Sequence, residues 1–382
     1  MTTDKGVWNL QQVRDKQLQD LWTYSGGGEL WVWGNNEEGG LGLNSITFYS
    51  SPVQLPGNWQ DVSLNQAAGG DFNAAKKDDK WWVFGLNDYG QLGLNNRTNY
   101  SSPVQLPGTT WSQVMACTTH SLALKTDGTL WSWGKNERGQ LGQNGGNNAH
   151  LSSPTQIPGT TWSKLFVGGN LDAAALKTDG TLWTWGGNFQ GQLGDGTSVY
   201  RSSPVQVPGT TWSWVATNSA YMVASKTDNT LWAWGTGYHG EHAQNNRTYY
   251  SSPRQIPGTN WATGEYSVAV AAPGQAMAIK TDGTLWGWGR NLDGGLARDP
   301  NYMYSSPVQI PGTTWSKVYG IAAKKTDGTL WAWGTNTHGQ LGQNNLTQYS
   351  SPVQIPGTDW YKPGGSGGND FNRGSRLFLK DV

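Results

Sequence analysis

Within one short stretch, Gly237-Tyr238-His239-Gly240-Glu241-His242-Ala243, two histidines and a glutamate fall inside four residues. Imidazole and carboxylate are zinc ligands and the usual partners in proton transfer, so here the residue types could do chemistry. A zinc site needs further ligands, and neither cysteine nor another carboxylate stands nearby. The sequence therefore predicts no metal. No Ser/His/Asp set, carboxylate pair or phosphate loop occupies a distinctive position, and all five histidines fall in or beside segments that read as loops. The Gly-rich runs Gly26-Gly27-Gly28 and Gly364-Gly365-Ser366-Gly367-Gly368 also read as loops. No catalytic residue and no cofactor are expected, and a binding or structural role is favoured.

Binding chemistry is better represented. Before each Ser-Ser-Pro the chain carries a variable stretch rich in tyrosine, asparagine, arginine and threonine, the composition of adaptable contact loops. The candidate contact residues there are Tyr49, Tyr100, Tyr200, Tyr249, Tyr250, Tyr302, Tyr304 and Tyr349. Tyr238, His239 and His242 join them from the departing loop above, and Tyr266 from a lengthened segment, Ala262 to Tyr266. Exposed aromatics beside amides also suit sugars. The competing reading is that each tyrosine packs on its own repeat. Asn-Arg-Thr at Asn96 and Asn246 fits a glycosylation acceptor but is a by-product of the repeat.

The elements that must position these loops are set by one motif. Leu-Trp-x-Trp-Gly occurs at Leu30–Gly34, Leu130–Gly134, Leu182–Gly186, Leu231–Gly235, Leu285–Gly289 and Leu330–Gly334, with a degenerate copy, Trp81-Trp82-Val83-Phe84-Gly85. Its glycines lie 51, 49, 52, 49, 54 and 45 residues apart, a period of tandem supersecondary units. The repeat opening at Trp111 reads as four strands: Trp111–Val114, Ser121–Lys125, Leu130–Trp133 and the Ser152-Ser153-Pro154 segment. Asp127-Gly128 predicts a two-residue hairpin turn with positive φ angles. The last strand, with two prolines that cannot donate to a ladder, belongs at an edge. Four short antiparallel strands ending at an edge describe a propeller blade.

A blade is sandwiched between two neighbours, so both faces need filling, and a ring every second residue fills the wedge. Burying each ring contributes roughly 2–3 kcal/mol before ordering costs, so the 24 tryptophans read as mostly core. Blades open near Trp59, Trp111, Trp162, Trp212, Trp261, Trp315 and Trp360; the first Leu-Trp-x-Trp-Gly lacks an opening half, and Trp360 has only a half after it. The missing halves match. Residues 360–382 should supply two strands and residues 28–57 two more, closing an all-β, seven-bladed propeller that leaves no free sheet edge at the seam.

Lys-Thr-Asp-Gly-Thr-Leu-Trp-x-Trp-Gly-x-Asn, then Gly-Gln-Leu-Gly, then Ser-Ser-Pro-Val-Gln-Ile-Pro-Gly resembles the repeats of the regulator of chromosome condensation family across residues 28–382. The resemblance implies the propeller and leaves function open, because a fold does not imply a function. Similar propellers serve as a nucleotide-exchange factor for a small GTPase, an ultraviolet-B photoreceptor, domains of ubiquitin ligases, a β-lactamase inhibitor and phage components. No Trp-Arg pair of the photoreceptor kind occurs, residues 1–25 are not basic, and no long insertion interrupts the blades.

Composition sets further limits. The 26 basic and 26 acidic residues balance, which disfavours nucleic acid or an anionic membrane as partner. Cys117 stands alone, so no internal disulfide forms. The start lacks a signal-peptide core, and no apolar run approaches membrane-spanning length. Residues 1–27 are expected to be an anchor segment, helix or strap, with Trp8, Leu10, Val13, Leu18, Leu21 and Trp22 as candidate docking residues. Gly6-Val7-Trp8-Asn9-Leu10 with Leu21-Trp22 resembles lead-in segments of phage structural proteins. The favoured expectation is thus a non-enzymatic virion component, its anchor docked to virion proteins and its loops facing a host surface or glycan. The alternative is a cytoplasmic regulator, an exchange factor or enzyme inhibitor acting on a protein partner.

Overall fold

The computed structural model describes residues 28–63, 72–145, 149–166, 172–217, 220–271, 274–291, 294–298, 302–358, 360–364 and 375–380. They form seven four-stranded antiparallel sheets, and no helix occurs among the described residues. Blades are numbered here by their copy of Leu-Trp-x-Trp-Gly. Blade 1 is assembled from both ends of the chain, in the order Tyr49–Trp59, Gly28–Gly34, Ser375–Lys380, Trp360–Gly364. Leu30 pairs with Leu379, Val32 with Leu377 and Gly34 with Ser375, so the expected closure is present in the expected register. The anchor segment, with Trp8, Leu10, Val13, Leu18, Leu21 and Trp22, lies outside the described residues.

Opening strands such as Trp111–Ala116, Trp162–Phe166, Trp212–Thr217 and Val268–Ala271 approach one another from blade to blade, so they line the axis. The Ser-Ser-Pro strands lie at the other edge and are half-buried. The second tryptophan of the motif holds the wedge. Trp33, Trp133, Trp185, Trp234, Trp288 and Trp333 are fully buried. Each also donates its Nε1–H to a backbone carbonyl of the preceding blade: to Gln340, Gln91, Gln140, Gln192, Glu241 and Gly295, at 2.7–3.3 Å. Blade 2 carries Phe84 there, and Asn73 Nδ2 donates to Gly40 O at 2.7 Å instead. The first tryptophan of the motif is different from the expected wedge filler: Trp131, Trp183, Trp232, Trp286 and Trp331 are only partly buried.

A second contact runs round the whole ring. Gly39, Gly90, Gly139, Gly191, Gly240, Gly294 and Gly339 each lie against the first serine of the next blade's Ser-Ser-Pro: Ser101, Ser152, Ser202, Ser251, Ser305, Ser350 and Ser50. An added Cβ would stand 2.4–2.9 Å from that serine's Cα, and each glycine has φ between +67° and +82° or, at Gly240, +87°. Only glycine meets both requirements. The last contact, Gly339 on Ser50, returns from blade 7 to blade 1 and closes the ring.

One turn differs from expectation. Only Gly128 has positive φ, while Gly128 N donates to Lys125 O and Lys125 N to Thr129 O. The loop therefore has three residues, a type I turn followed by a left-handed glycine.

Candidate interaction face

The antiparallel order sends the third strand of every blade towards one end of the ring, where it passes into the variable loop before Ser-Ser-Pro. Loops that follow the opening strands reach the same end, so the two variable sets share one face. The frame of the third-to-fourth-strand loop is built by two side chains. In blade 2, Asn87 Nδ2 donates to Asn96 O and Thr98 O at 3.1 and 3.0 Å, and its Oδ1 accepts Leu92 N–H at 2.9 Å. Gln91 Oε1 accepts Tyr89 N–H at 2.9 Å. The pattern recurs at Asn188 with Gln192 and at Asn336 with Gln340.

Blade 5 departs at three of these positions together, at the His/Glu cluster. Gly237 replaces the asparagine, and His242 replaces the following leucine. His242 Nδ1 lies 3.0 Å from Thr248 O, the carbonyl equivalent to Thr98 O, so the imidazole donates the bond that asparagine donates elsewhere. An added Cβ at Gly237 would stand 2.1 Å from Thr248 O and 2.9 Å from His242 Nδ1. The two changes compensate each other. Glu241 stands in for the glutamine, accepting His239 N–H at 2.7 Å and pairing with His239 Nδ1 at 3.1 Å. No group of three or more His, Cys, Asp or Glu able to hold a metal ion exists among the described residues. The cluster is a framework substitution.

His242, His120 and Asp172 are among the titratable groups buried just inside this face. Burial pushes the His242 imidazole down to about 4, against backbone contacts that favour its charged form, and pushes His120 down to about 3. Burial raises Asp172 to about 8, partly offset by the Thr217 hydroxyl at 3.4 Å. All three are neutral at pH 7.

The structure sorts the candidate contact residues into three groups. Tyr238, Tyr249, Tyr302 and Tyr200 are exposed, at 63, 51, 64 and 39 %. Tyr49, Tyr100, Tyr250, Tyr304, Tyr349 and His239 are half-buried. Asn96, Asn246 and Asn345 donate Nδ2 to the hydroxyls of Tyr100, Tyr250 and Tyr349 at 3.2–3.3 Å, so these tyrosines hold their own loops. His242 and Tyr266 are buried, and both are removed from the contact set. Tyr266 does not lie in a variable loop at all. Trp261 bridges Lys280 and the next strand starts at Val268, so the extra residues swell the opening strand near its start, away from the variable face. Tyr266 packs against Trp214 and Tyr319 with centroids 5.2 and 4.9 Å apart, filling the axis.

Sequence reasoning missed part of the face. Ile46, Phe48, Phe189, Val199, Met303 and Leu346 are exposed there too. For Phe189 the signal was available at the position after the framework asparagine: Glu37, Asp88 and Glu137 in blades 1–3 become Phe189 and Tyr238 in blades 4 and 5.

At the next position along the chain, side chains cross four of the seams between blades. Asn99 Nδ2 donates to Glu38 Oε2 at 2.9 Å between blades 1 and 2. His150 meets Tyr89 edge-on at 5.2 Å between blades 2 and 3. Arg138 lies over Tyr200, 5.1 Å from its centroid, and donates to its hydroxyl between blades 3 and 4. His338 meets Phe48 at 6.0 Å between blades 7 and 1. Between blades 4 and 5 the corresponding residues are Gln190 and Tyr249, and here the seam is open. A cleft of about 590 Å³ lies between them, lined also by Phe189, Thr197, Ser198 and Ser251.

Comparison with known proteins agrees with this architecture. Human WBSCR16 superposes with a TM-score of 0.78 at 20 % identity, covering 93 % of this chain and 99 % of that one. Yeast RCC1 (Prp20), solved bound to Kap60, gives 0.77 at 17 % identity over 100 % of this chain and 95 % of that one. A second Prp20p structure, from Saccharomyces cerevisiae, concerns its binding to Gsp1p and histones and matches at 0.77 with 18 % identity over 98 % of this chain and 96 % of that one. These likenesses show the fold. The human E3 ubiquitin-protein ligase HERC2 is 27 % identical over 185 residues, 45 % of this chain, which spans only 4 % of the ligase. The Regulator of chromosome condensation (RCC1) repeat matches residues 27–75, 78–124, 127–174, 179–219 and 327–361, leaving unmatched the stretch that holds the departures of blades 5 and 6. With more than half of its length matched, the chain belongs to the RCC1 repeat family.

Proposed function

We propose that this chain is a protein-binding propeller that regulates a protein partner through the variable face. One observation carries the reading. All ten large apolar side chains that are exposed among the described residues (Ile46, Phe48, Phe189, Val199, Tyr200, Tyr238, Tyr249, Tyr302, Met303 and Leu346) lie between a third and a fourth strand or at the start of a fourth. Apolar surface gathered at one end of a rigid ring is the mark of an interaction site. The solved structures of Prp20 with Kap60, and the work on its binding to Gsp1p and histones, support protein as the partner class.

These neighbours favour a cellular regulator over a virion component. The virion setting keeps only the resemblance of about 20 residues in the N-terminal segment, outside the described residues. Crosslinking the full chain in its native extract, followed by mass spectrometry, tests both. A partner crosslinked to the loops around Tyr238 and Tyr302 and released by Tyr238→Ser with Tyr302→Ser is expected. A partner mapping to the Thr-Asp-Gly-Thr turns sinks the reading. Co-purification with particles, lost on deleting residues 1–25, restores the virion alternative.

A further inference from the structure

The open seam between blades 4 and 5 has a form that the molecule itself explains. At the adjoining seam, between blades 3 and 4, the same two positions carry Arg138 and Tyr200, and the guanidinium lies over the ring. Gln190 occupies the arginine's position, and Tyr249 that of Tyr200. Glutamine is shorter and uncharged. Its Oε1 accepts no hydrogen bond, Tyr249 stays 51 % exposed, and Phe189 stands 48 % exposed on the other side.

We propose that this cleft takes an arginine side chain from a protein partner, stacked on Tyr249 as Arg138 stacks on Tyr200. This deepens the protein-binding reading and rests on it. A guanidinium supplies flat stacking surface for Tyr249 together with donors for the hydroxyls of Ser198 and Ser251, which line the cleft. No charged side chain lines the cleft, and the nearby Asp195 is held by Arg201 at 2.7 Å. A lysine ammonium, which is compact and strongly hydrated, finds neither a carboxylate nor a matching plane there. The volume exceeds one side chain, so flanking backbone enters too.

The test uses the full chain and fluorescent blocked pentapeptides, Gly-Ser-Arg-Ser-Gly against the same peptide with citrulline or lysine, followed by anisotropy. The arginine peptide is expected to bind about tenfold more tightly than either counterpart. Tyr249→Ala should weaken it about tenfold. Gln190→Arg should abolish binding by filling the cleft from within, with an unchanged thermal melt, while Lys80→Ala, exposed at the opposite end of the ring, should bind as the parent does. Equal binding of the arginine and citrulline peptides, or full binding by Gln190→Arg, overturns the proposal. If neither peptide binds but a native partner crosslinks beside Tyr238 or Tyr302, the cleft assignment falls and the protein-binding face stands. A partner on the opposite face overturns both.

Discussion

The two ends of this ring are made from the same seven repeats and treat their polar groups in opposite ways. At the Thr-Asp-Gly-Thr end, each group is consumed locally. Asp127 Oδ1 accepts from Thr129 N and Oγ1, Thr129 Oγ1 accepts Trp131 Nε1–H, and Lys125 Nζ lies over Trp111 and Trp131 at 4.8 and 4.1 Å. The same clamp recurs with Lys177, Lys226, Lys280 and Lys325. At the variable end, a conserved inner frame of Asn and Gln carries an outer layer whose chemistry changes from carboxylate to aromatic round the ring. Repetition therefore marks what a blade needs to fold, and departure from it has two meanings. Where a second change compensates, as with Phe84 and Asn73 or Gly237 and His242, it is structural. Where nothing compensates, as with Gln190 and Tyr249, it leaves surface for a partner.

The sharpest way to break this contrast is to remove a repeated ring. Trp133→Ala takes away a fully buried side chain and its bond to Gln91 O, and should cost about 3–5 kcal/mol in denaturant unfolding. A loss near zero would mean that the repeats do not carry stability.

Acid should act next most strongly, on the framework beneath the variable face. His242 and His120 have folded pKa values of about 4 and about 3, below the ordinary 6.5, so the native state binds fewer protons than the unfolded chain. Their stabilisation is complete above pH 6.5 and is lost as pH falls towards 4 and then 3, by about 1.4 kcal/mol per pH unit for each group. Asp172 works in the other direction. Its folded pKa of about 8 lies above the unfolded value, so it weakens the fold progressively as pH rises from about 4 to 8. Asp172→Asn should accordingly raise the melting temperature at pH 8 and leave it unchanged at pH 4. A flat melting profile from pH 7 to 4, or an equal effect of Asp172→Asn at both pH values, would contradict the burial of these groups.

Compensation in blade 5 makes a smaller and more specific claim. Gly237→Asn alone should destabilise by about 1–3 kcal/mol, because its side chain meets His242 and Thr248 O. Adding His242→Leu should recover at least half, measured as a double-mutant cycle. Additive losses would show that the two departures are independent.

The smallest stability effect belongs to the variable surface. Tyr238→Ser and Tyr302→Ser should each change stability by less than about 0.5 kcal/mol, since both rings are about two-thirds exposed. Larger losses would erase the distinction between the two ends.

Much of this was legible in the chain. The spacing of Leu-Trp-x-Trp-Gly and the unmatched halves at Leu30 and Leu377 located the closing blade, because strand register depends on local alternation and both halves keep it. The site was less legible. Tyr266 looks like a loop residue because its neighbours are Thr263, Gly264 and Glu265, yet it turns into the axis against two aromatic rings from adjacent blades. Tyr100 and Tyr249 stand in similar stretches, but an asparagine four residues earlier holds Tyr100, and Tyr249 faces the open seam. Exposure depends on packing partners, near in sequence for Tyr100 and in adjacent blades for Tyr266, which periodicity does not report.

By itself, the sequence determined the number of blades, their strand order and the closure of the ring. These follow from short-range patterns repeated often enough to be unambiguous: alternation within strands, Asp-Gly at turns and glycine where a neighbouring blade touches. Only the tertiary structure decided which departures from the repeat are absorbed and which are presented. That outcome is fixed by whether another side chain, of the same blade as with Asn73 and His242 or of the neighbouring blade as with Arg138 and Tyr200, fills the space or leaves it empty.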